Sequence, residues 1–98
     1  MATNSSYKRA LGANIKRFRK MRKISQERLA ELTGTSRVHV GYVEQGTRNP
    51  SLDLLFRIAD ALDVSMPDLF DFSWTRNDGE PAAVEYDSHD RMPRNTID

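Results

Sequence analysis

The segment from Ser36 to Gln45 carries side chains that suit contacts with nucleic-acid bases. Val40 and Val43 mark the inward side of a predicted helix. The outer side carries Arg37, Val38, His39 and Tyr42. An arginine can donate two hydrogen bonds to guanine O6 and N7, and a valine can contact a thymine methyl group. These residues therefore predict a helix that enters a DNA groove.

A second predicted helix and a glycine turn would position this surface. Ser25 is a good N-cap for a helix that continues to Thr33, and its buried side is predicted to hold Leu29, Ala30 and Leu32. Gly34 can adopt the left-handed conformation that ends a helix. Ser36 then caps the helix of the base-contacting side chains. Helix, short turn and helix make a helix-turn-helix over about residues 25–45.

Three further helices complete an all-α prediction. The first runs from about Tyr7 to Lys23, with a core side that is closed by Met21 or Ile24. Its other core residues are Leu11, Ile15 and Phe18. Pro50 stops the third helix, and Ser51 caps a fourth with the predicted core residues Leu52, Leu55, Ile58, Ala59 and Leu62. Ser65 caps a short fifth helix, from which Leu69 and Phe70 would pack back.

Length and charge divide the 98 residues into three parts. We predict a flexible N-terminus over 1–7, one compact domain over 8–72 and an acidic extension over 73–98. Residues 1–72 hold 12 Lys and Arg against 8 Asp and Glu, whereas residues 73–98 hold 3 against 6. A basic domain suits a polyanion. The extension is either disordered or ordered against the body or a partner, with one short strand expected at 82–86.

The composition also favours some protein classes over others. The chain has no cysteine, no apolar leader and no membrane-spanning run, so we expect a cytoplasmic protein without disulfides and without membrane association. His39 and His89 are too few for the usual metal sites, and no cofactor is expected. No catalytic set is recognisable, so we expect no enzyme. The aspartates are interpreted as helix surface and capping groups: Asp60, Asp63, Asp68 and Asp71.

Taken in order, four segments resemble the Cro/CI-type helix-turn-helix family, also called XRE-like. They are LGANIKRFR, SQERLAELTG, TSRVHVGYVEQG and the RNPSLDLLFRIADAL run that leads to DLF. The resemblance spans about Leu11 to Phe70 and implies a compact five-helix, lambda-repressor-like domain. Such proteins usually bind operator DNA as symmetric dimers. The extension from Ser73 lies outside the resemblance.

The resemblance assigns roles to individual residues. Gln26 matches a glutamine that contacts a phosphate and buttresses the recognition helix, although it could simply cap its own helix. The base-edge positions of the recognition helix correspond to Arg37, Val38 and His39, with Tyr42 one turn further on. Ser36, which caps this helix, is also predicted to bind DNA. Arg48 and Asn49 match positions that touch the DNA backbone. Arg19 and Glu44 match an ion pair between the first and third helices.

Two positions depart from the family pattern. Gly41 stands inside the recognition helix, where relatives usually carry serine or a charged residue. It either permits close approach to the duplex or is merely tolerated. Tyr42 is bulkier than the usual polar residue, so the operator of a relative does not transfer to this chain.

The resemblance also predicts a homodimer through the fourth and fifth helices. The candidate interface residues are Leu54, Phe70, Phe72 and Trp74. These aromatics could instead complete the core or anchor the extension. The predicted function is a transcriptional regulator on double-stranded DNA: a phage-type repressor, a restriction–modification controller protein or an antitoxin. The alternative is a protein-interaction module whose extension binds a partner protein.

Overall fold

The computed structural model describes residues 4–73, and within this range the fold is entirely helical. The five helices are α1 Asn4–Met21, α2 Gln26–Thr33, α3 Arg37–Gln45, α4 Leu52–Leu62 and α5 Met66–Leu69. The all-α, five-helix prediction is therefore confirmed. The predictions for Trp74, for His89 and for a strand at 82–86 lie outside the described residues. Among the described helices, none has the length and apolar character needed to cross a bilayer.

Serine caps begin four of the helices, as the sequence predicted. The hydroxyl oxygens of Ser25, Ser36, Ser51 and Ser65 each accept a hydrogen bond from a backbone N–H in the first turn that follows. At α5 the cap is reciprocal, because the Asp68 carboxylate also accepts from the backbone N–H of Ser65 at 3.0 Å. Gly34 ends α2 with a φ of 73°, in the left-handed region where a side chain would be strained.

One core joins all five helices. Its most enclosed members come from different elements: Ile15 in α1, Leu29 in α2, Leu62 in α4 and Leu69 in α5 are each fully buried. The remaining buried apolar residues are Ala10, Leu11, Phe18, Ala30, Val40, Val43, Leu54, Leu55, Ile58 and Ala59. The four longer helices therefore each contribute an apolar stripe, as helical spacing predicts, and the short α5 contributes Leu69.

The buried stripe of α4 differs from the predicted one at two positions. Leu52, predicted as core, is 61% exposed, whereas Leu54, predicted as spare surface for a dimer, is 8% exposed. The stripe runs through Leu54, Leu55, Ile58, Ala59 and Leu62, so its edge includes Leu54 and excludes Leu52. The premise that Leu54 is spare surface for a dimer is therefore wrong, because the residue is largely enclosed within its own subunit.

Other residues near the edges of helix stripes also differ from the predicted core. Leu32, predicted as buried, is 45% exposed, and Thr33 is buried in its place. Burial of Thr33 costs little because its hydroxyl donates to the carbonyl oxygen of Leu29 at 2.7 Å. Met21 is exposed, so Ile24 closes the core side of α1. Phe70 was expected to pack back, but it also remains exposed.

Helix α1 begins before its predicted start near Tyr7. α1 begins at Asn4, and Ser6 is buried, so residues 4–7 belong to the helix. The Tyr7 ring stacks on Phe72 with centroids 5.8 Å apart. Further along α1, buried Asn14 donates to the carbonyl oxygens of Leu69 at 2.8 Å and Asp71 at 3.1 Å. These contacts give α1 a partner near its first turn and fasten the chain that leaves α5.

Candidate nucleic-acid interface

One side of α3 is presented to solvent while the other is held in the core. Val40 and Val43 are buried. Arg37, Val38 and Tyr42 are exposed, and His39 is half-buried. Ser36, at the start of the helix, accepts a hydrogen bond from the backbone N–H of His39 at 3.0 Å. The side chains that the sequence singled out therefore lie on the solvent side of one short helix.

An ion pair with very little exposure fixes the far end of α3 to α1. Arg19 Nε donates to Glu44 Oε2 at 2.6 Å, and Arg19 Nη2 donates to Glu44 Oε1 at 3.1 Å. Only 10% of the arginine side chain and 3% of the glutamate side chain are exposed. Arg19 Nη1 also donates to the carbonyl oxygen of Ile24 at 2.9 Å. This two-pronged geometry orients α3 as well as joining it to α1.

Gln26 brings α2 into the same cluster. Its Nε2 donates to Glu44 Oε1 at 2.9 Å, and the residue is half-buried. The cap of α2 is supplied by Ser25, whose hydroxyl accepts from the backbone N–H of Arg28. Gln26 therefore buttresses α3, and the alternative of a simple cap for its own helix is not what the geometry shows. Its phosphate contact stays a prediction.

A glycine that the sequence analysis did not single out allows α1 and α3 to approach closely. A Cβ atom on Gly12 would lie 2.3 Å from the carbonyl oxygen of Val43 and 2.5 Å from that of Glu44. Both atoms belong to the backbone and have little freedom to move. The sequence signal was a glycine inside a strong helix pattern, where glycine costs about 1 kcal/mol relative to alanine.

The loop after α3 lies back over the helix. Gly46 ends α3 with a φ of 79°, and a Cβ atom there would lie 2.8 Å from the Cα atom of Arg9. After this turn the Arg48 guanidinium lies over the Tyr42 ring, 5.0 Å from its centroid. Arg48 and Asn49 are both exposed. The loop thus adds two polar side chains beside the exposed side of α3.

Gly41 has no such packing reason. The nearest atom to a Cβ placed there is Gln26 Nε2, at 4.0 Å, which is an ordinary contact distance. Within the domain, the glycine is therefore tolerated and not required.

The match to known proteins covers the region just described. A helix-turn-helix family model matches residues 15–69, more than half of the chain. The chain belongs to the Cro/CI-type, XRE-like helix-turn-helix family. Control protein C.SmaI of Serratia marcescens is 37% identical over 71 residues, which cover 72% of this chain and 84% of C.SmaI.

Solved structures of this family superpose on the same domain. The restriction-modification controller protein C.AhdI from Aeromonas hydrophila has a TM-score of 0.62 and 40% identity, covering 63% of this chain and 94% of C.AhdI. The P22 c2 repressor in complex with a synthetic operator has a TM-score of 0.60 and 30% identity, covering 62% of this chain and 92% of that one. The present chain is therefore a DNA-binding transcriptional regulator, and its family consists of regulators and not of enzymes.

Other polar groups of this XRE-like domain have structural partners. Arg22 Nε donates to the carbonyl oxygen of Leu62 at 2.7 Å, and Arg57 Nη1 donates to that of Thr33 at 3.3 Å. Both arginines thus satisfy carbonyl groups at the C-terminal ends of helices.

In residues 4–73 no group of three potential ligands could hold a metal ion. Hydrogen bonds from Ser73 hold the pKa of the exposed Asp71 carboxyl below its ordinary value.

Proposed function

We propose that this regulator binds a roughly palindromic operator as a homodimer, with α3 of each subunit in the major groove. One observation carries the proposal. Arg37, Val38 and Tyr42 share the exposed side of a helix. Its opposite side is fixed by buried valines and by the contacts of Glu44 with Arg19 and Gln26. A helix held in one orientation, with an exposed hydrogen-bonding side chain such as Arg37 and an exposed methyl-contacting side chain such as Val38, is what direct reading of base edges requires.

The first experiment is selection of binding sites from a random duplex library. We expect a palindromic consensus whose half-sites lie about 34–36 Å apart, one helical turn or a multiple of it. If no consensus emerges and binding only fades with salt, the domain is a scaffold. The protein-interaction alternative would then be favoured, with the extension as the segment to test against protein partners.

Replacing Arg37 with alanine should weaken operator binding by about 1–3 kcal/mol and relax the preference at one position in each half-site. The cause is loss of a two-pronged contact to a guanine. Fluorescence anisotropy on the selected site and on single-base variants measures both effects.

Arg48→Ala is the matched comparison, since it also removes one exposed guanidinium. A backbone contact carries no sequence information directly. The Arg48 variant should therefore bind all sequences more weakly and lower the salt slope by about 0.9. Equal loss of preference in both variants would contradict the assignment of base reading to Arg37.

Apolar side chains left exposed on α4 and after α5 support a homodimer. Leu52 and Phe56 are exposed one turn apart on α4. Phe70 lines an apolar groove of about 290 Å³ with Tyr7, Lys8, Leu11 and Phe72. Exposed apolar surface of this kind commonly marks an interaction site. Because Leu54 is largely enclosed in its own subunit, we assign Leu52 and Phe56 to the proposed interface together with Phe70 and Phe72. A contribution of Trp74 lies outside the described residues.

Replacing Leu52 with lysine should shift the protein from dimer to monomer and leave the helical content unchanged, because this side chain points to solvent. Sedimentation velocity and circular dichroism measure the two quantities. Leu54→Ala is the control. It should leave dimerisation of the folded protein unchanged but lower the free energy of unfolding by about 2–5 kcal/mol, because it creates an internal cavity. A wild-type protein that stays monomeric at concentrations on the order of tens of micromolar would contradict the dimer.

Among the three kinds of regulator, we favour a restriction–modification controller protein. The support is the 37% identity to C.SmaI and the 40% identity to C.AhdI. We expect the selected consensus to occur upstream of the gene for this chain and near genes for a methyltransferase and a restriction endonuclease. A consensus that occurs only in a phage operator region, or beside a toxin gene, would favour one of the other two.

A further inference from the structure

The Arg48 guanidinium lies over the face of the Tyr42 ring. The guanidinium carbon lies 5.0 Å from the centroid of the tyrosine ring, within the roughly 6 Å reach of a cation–π interaction. Both residues are exposed, so this pair is not part of the core. Tyr42 belongs to α3 and Arg48 to the loop that follows, so the contact joins the recognition helix to a loop predicted to touch the DNA backbone.

The backbone beneath the pair is itself held in place. After the turn at Gly46, the backbone N–H of Thr47 donates to the carbonyl oxygen of Tyr42 at 3.0 Å. The Thr47 hydroxyl donates to the same oxygen at 3.2 Å. The residue just before Arg48 is thus tied twice to the backbone of Tyr42. The arginine side chain therefore starts from a fixed point next to the ring.

We propose that Tyr42 is a positioning residue, whose ring holds the Arg48 guanidinium ready for a phosphate of the duplex, and that it does not read a base. A long arginine side chain loses conformational freedom when it binds, and a surface that holds it beforehand reduces that loss. Stacking on a ring face leaves the N–H groups at the edge of the guanidinium free to donate. This inference rests on the proposed function, and it changes the role that the resemblance gave to Tyr42.

Substitutions at both positions separate positioning from base reading. Operator affinity is measured across a salt titration for Tyr42→Phe, Tyr42→Ala, Arg48→Ala and the Tyr42→Ala/Arg48→Ala double variant. The phenylalanine variant keeps the ring face and should bind within about 2-fold of wild type, whereas Tyr42→Ala should bind about 2- to 5-fold more weakly. In the Arg48→Ala background, the Tyr42→Ala penalty should disappear. Thermal unfolding checks that the exposed substitutions leave the fold intact.

Three results would overturn the proposal. They are a Tyr42→Phe loss as large as that of Tyr42→Ala, a changed base preference in Tyr42→Ala, and an undiminished Tyr42→Ala penalty in the Arg48→Ala background. Each would mean that Tyr42 contacts DNA directly. Failure of the operator proposal looks different, because the wild type itself would then select no consensus. The coupling of Tyr42 to Arg48 is still measured in that case, by salt titration on a random duplex.

Discussion

Replacing Glu44 with alanine is expected to remove about 3–5 kcal/mol from the free energy of unfolding. The substitution leaves the Arg19 guanidinium buried, with both of its hydrogen bonds to the Glu44 carboxylate lost. It also removes the acceptor for Gln26. Urea denaturation monitored by circular dichroism measures the change. A domain of this size is expected to have a total stability of about 5–15 kcal/mol. About 0–12 kcal/mol would therefore remain, and the variant would be substantially unfolded without denaturant only if the wild type lies near the lower limit of that range.

The matched control is Glu31→Ala, which breaks an ion pair of similar length at the surface. Arg28 Nη1 lies 2.9 Å from Glu31 Oε1, and more than half of each side chain is exposed. Exposed pairs contribute about 0–1 kcal/mol, so this variant should stay near wild type. The double change Arg19→Met/Glu44→Leu removes both buried charges and should recover much of the loss. A Glu44→Ala effect no larger than that of Glu31→Ala would contradict the structural role of the pair.

Replacing Gly12 with alanine should destabilise the domain by about 2–3 kcal/mol, even though alanine is the better helix former. The new Cβ atom would lie 2.3 Å from the carbonyl oxygen of Val43. Since that oxygen belongs to the backbone of α3, relief requires the two helices to move apart. The same movement would strain the Arg19–Glu44 contact. Thermal and urea unfolding measure the loss.

Gly41→Ala is the matched control because this glycine also lies inside a helix but has room for a Cβ atom. The nearest atom to a new Cβ is 4.0 Å away, so only the helix propensity should change. A gain of up to about 1 kcal/mol is expected. Opposite signs for the two glycine variants would support the close approach at Gly12. If both variants were stabilised, the crossing of α1 and α3 would be looser than described.

Much of the local structure could be predicted from the sequence. Each serine cap acts on a backbone N–H only three residues further on, so Ser25, Ser36, Ser51 and Ser65 identify helix starts without knowledge of the rest of the fold. Val40 and Val43 identify the inward side of α3 for the same local reason. The start of α1 was missed because the polar residues before Tyr7 give no apolar pattern.

For the candidate site, the sequence predicted which side of α3 is exposed but not every contact that holds α3 in place. The outward side of α3 follows from helical spacing, and the resemblance pointed to the contact between Arg19 and Glu44. The hydrogen bond from Gln26 to Glu44 depends on where α2 packs against the end of α3. That meeting point is a property of helix packing, and no local pattern encodes it.

The sequence by itself determined the order of the helices, the four serine caps and the side of α3 that faces solvent, since these depend on residues within a few positions of each other. Only the tertiary structure decided that Leu54 is covered while Leu52 is not, that Thr33 replaces Leu32 in the core, and that Gly12 must be small. The physical reason is that the apolar stripe of a helix is wider than the surface that a single neighbouring helix can cover. The positions of the packed helices then determine which edge of the stripe is enclosed and where two backbones meet.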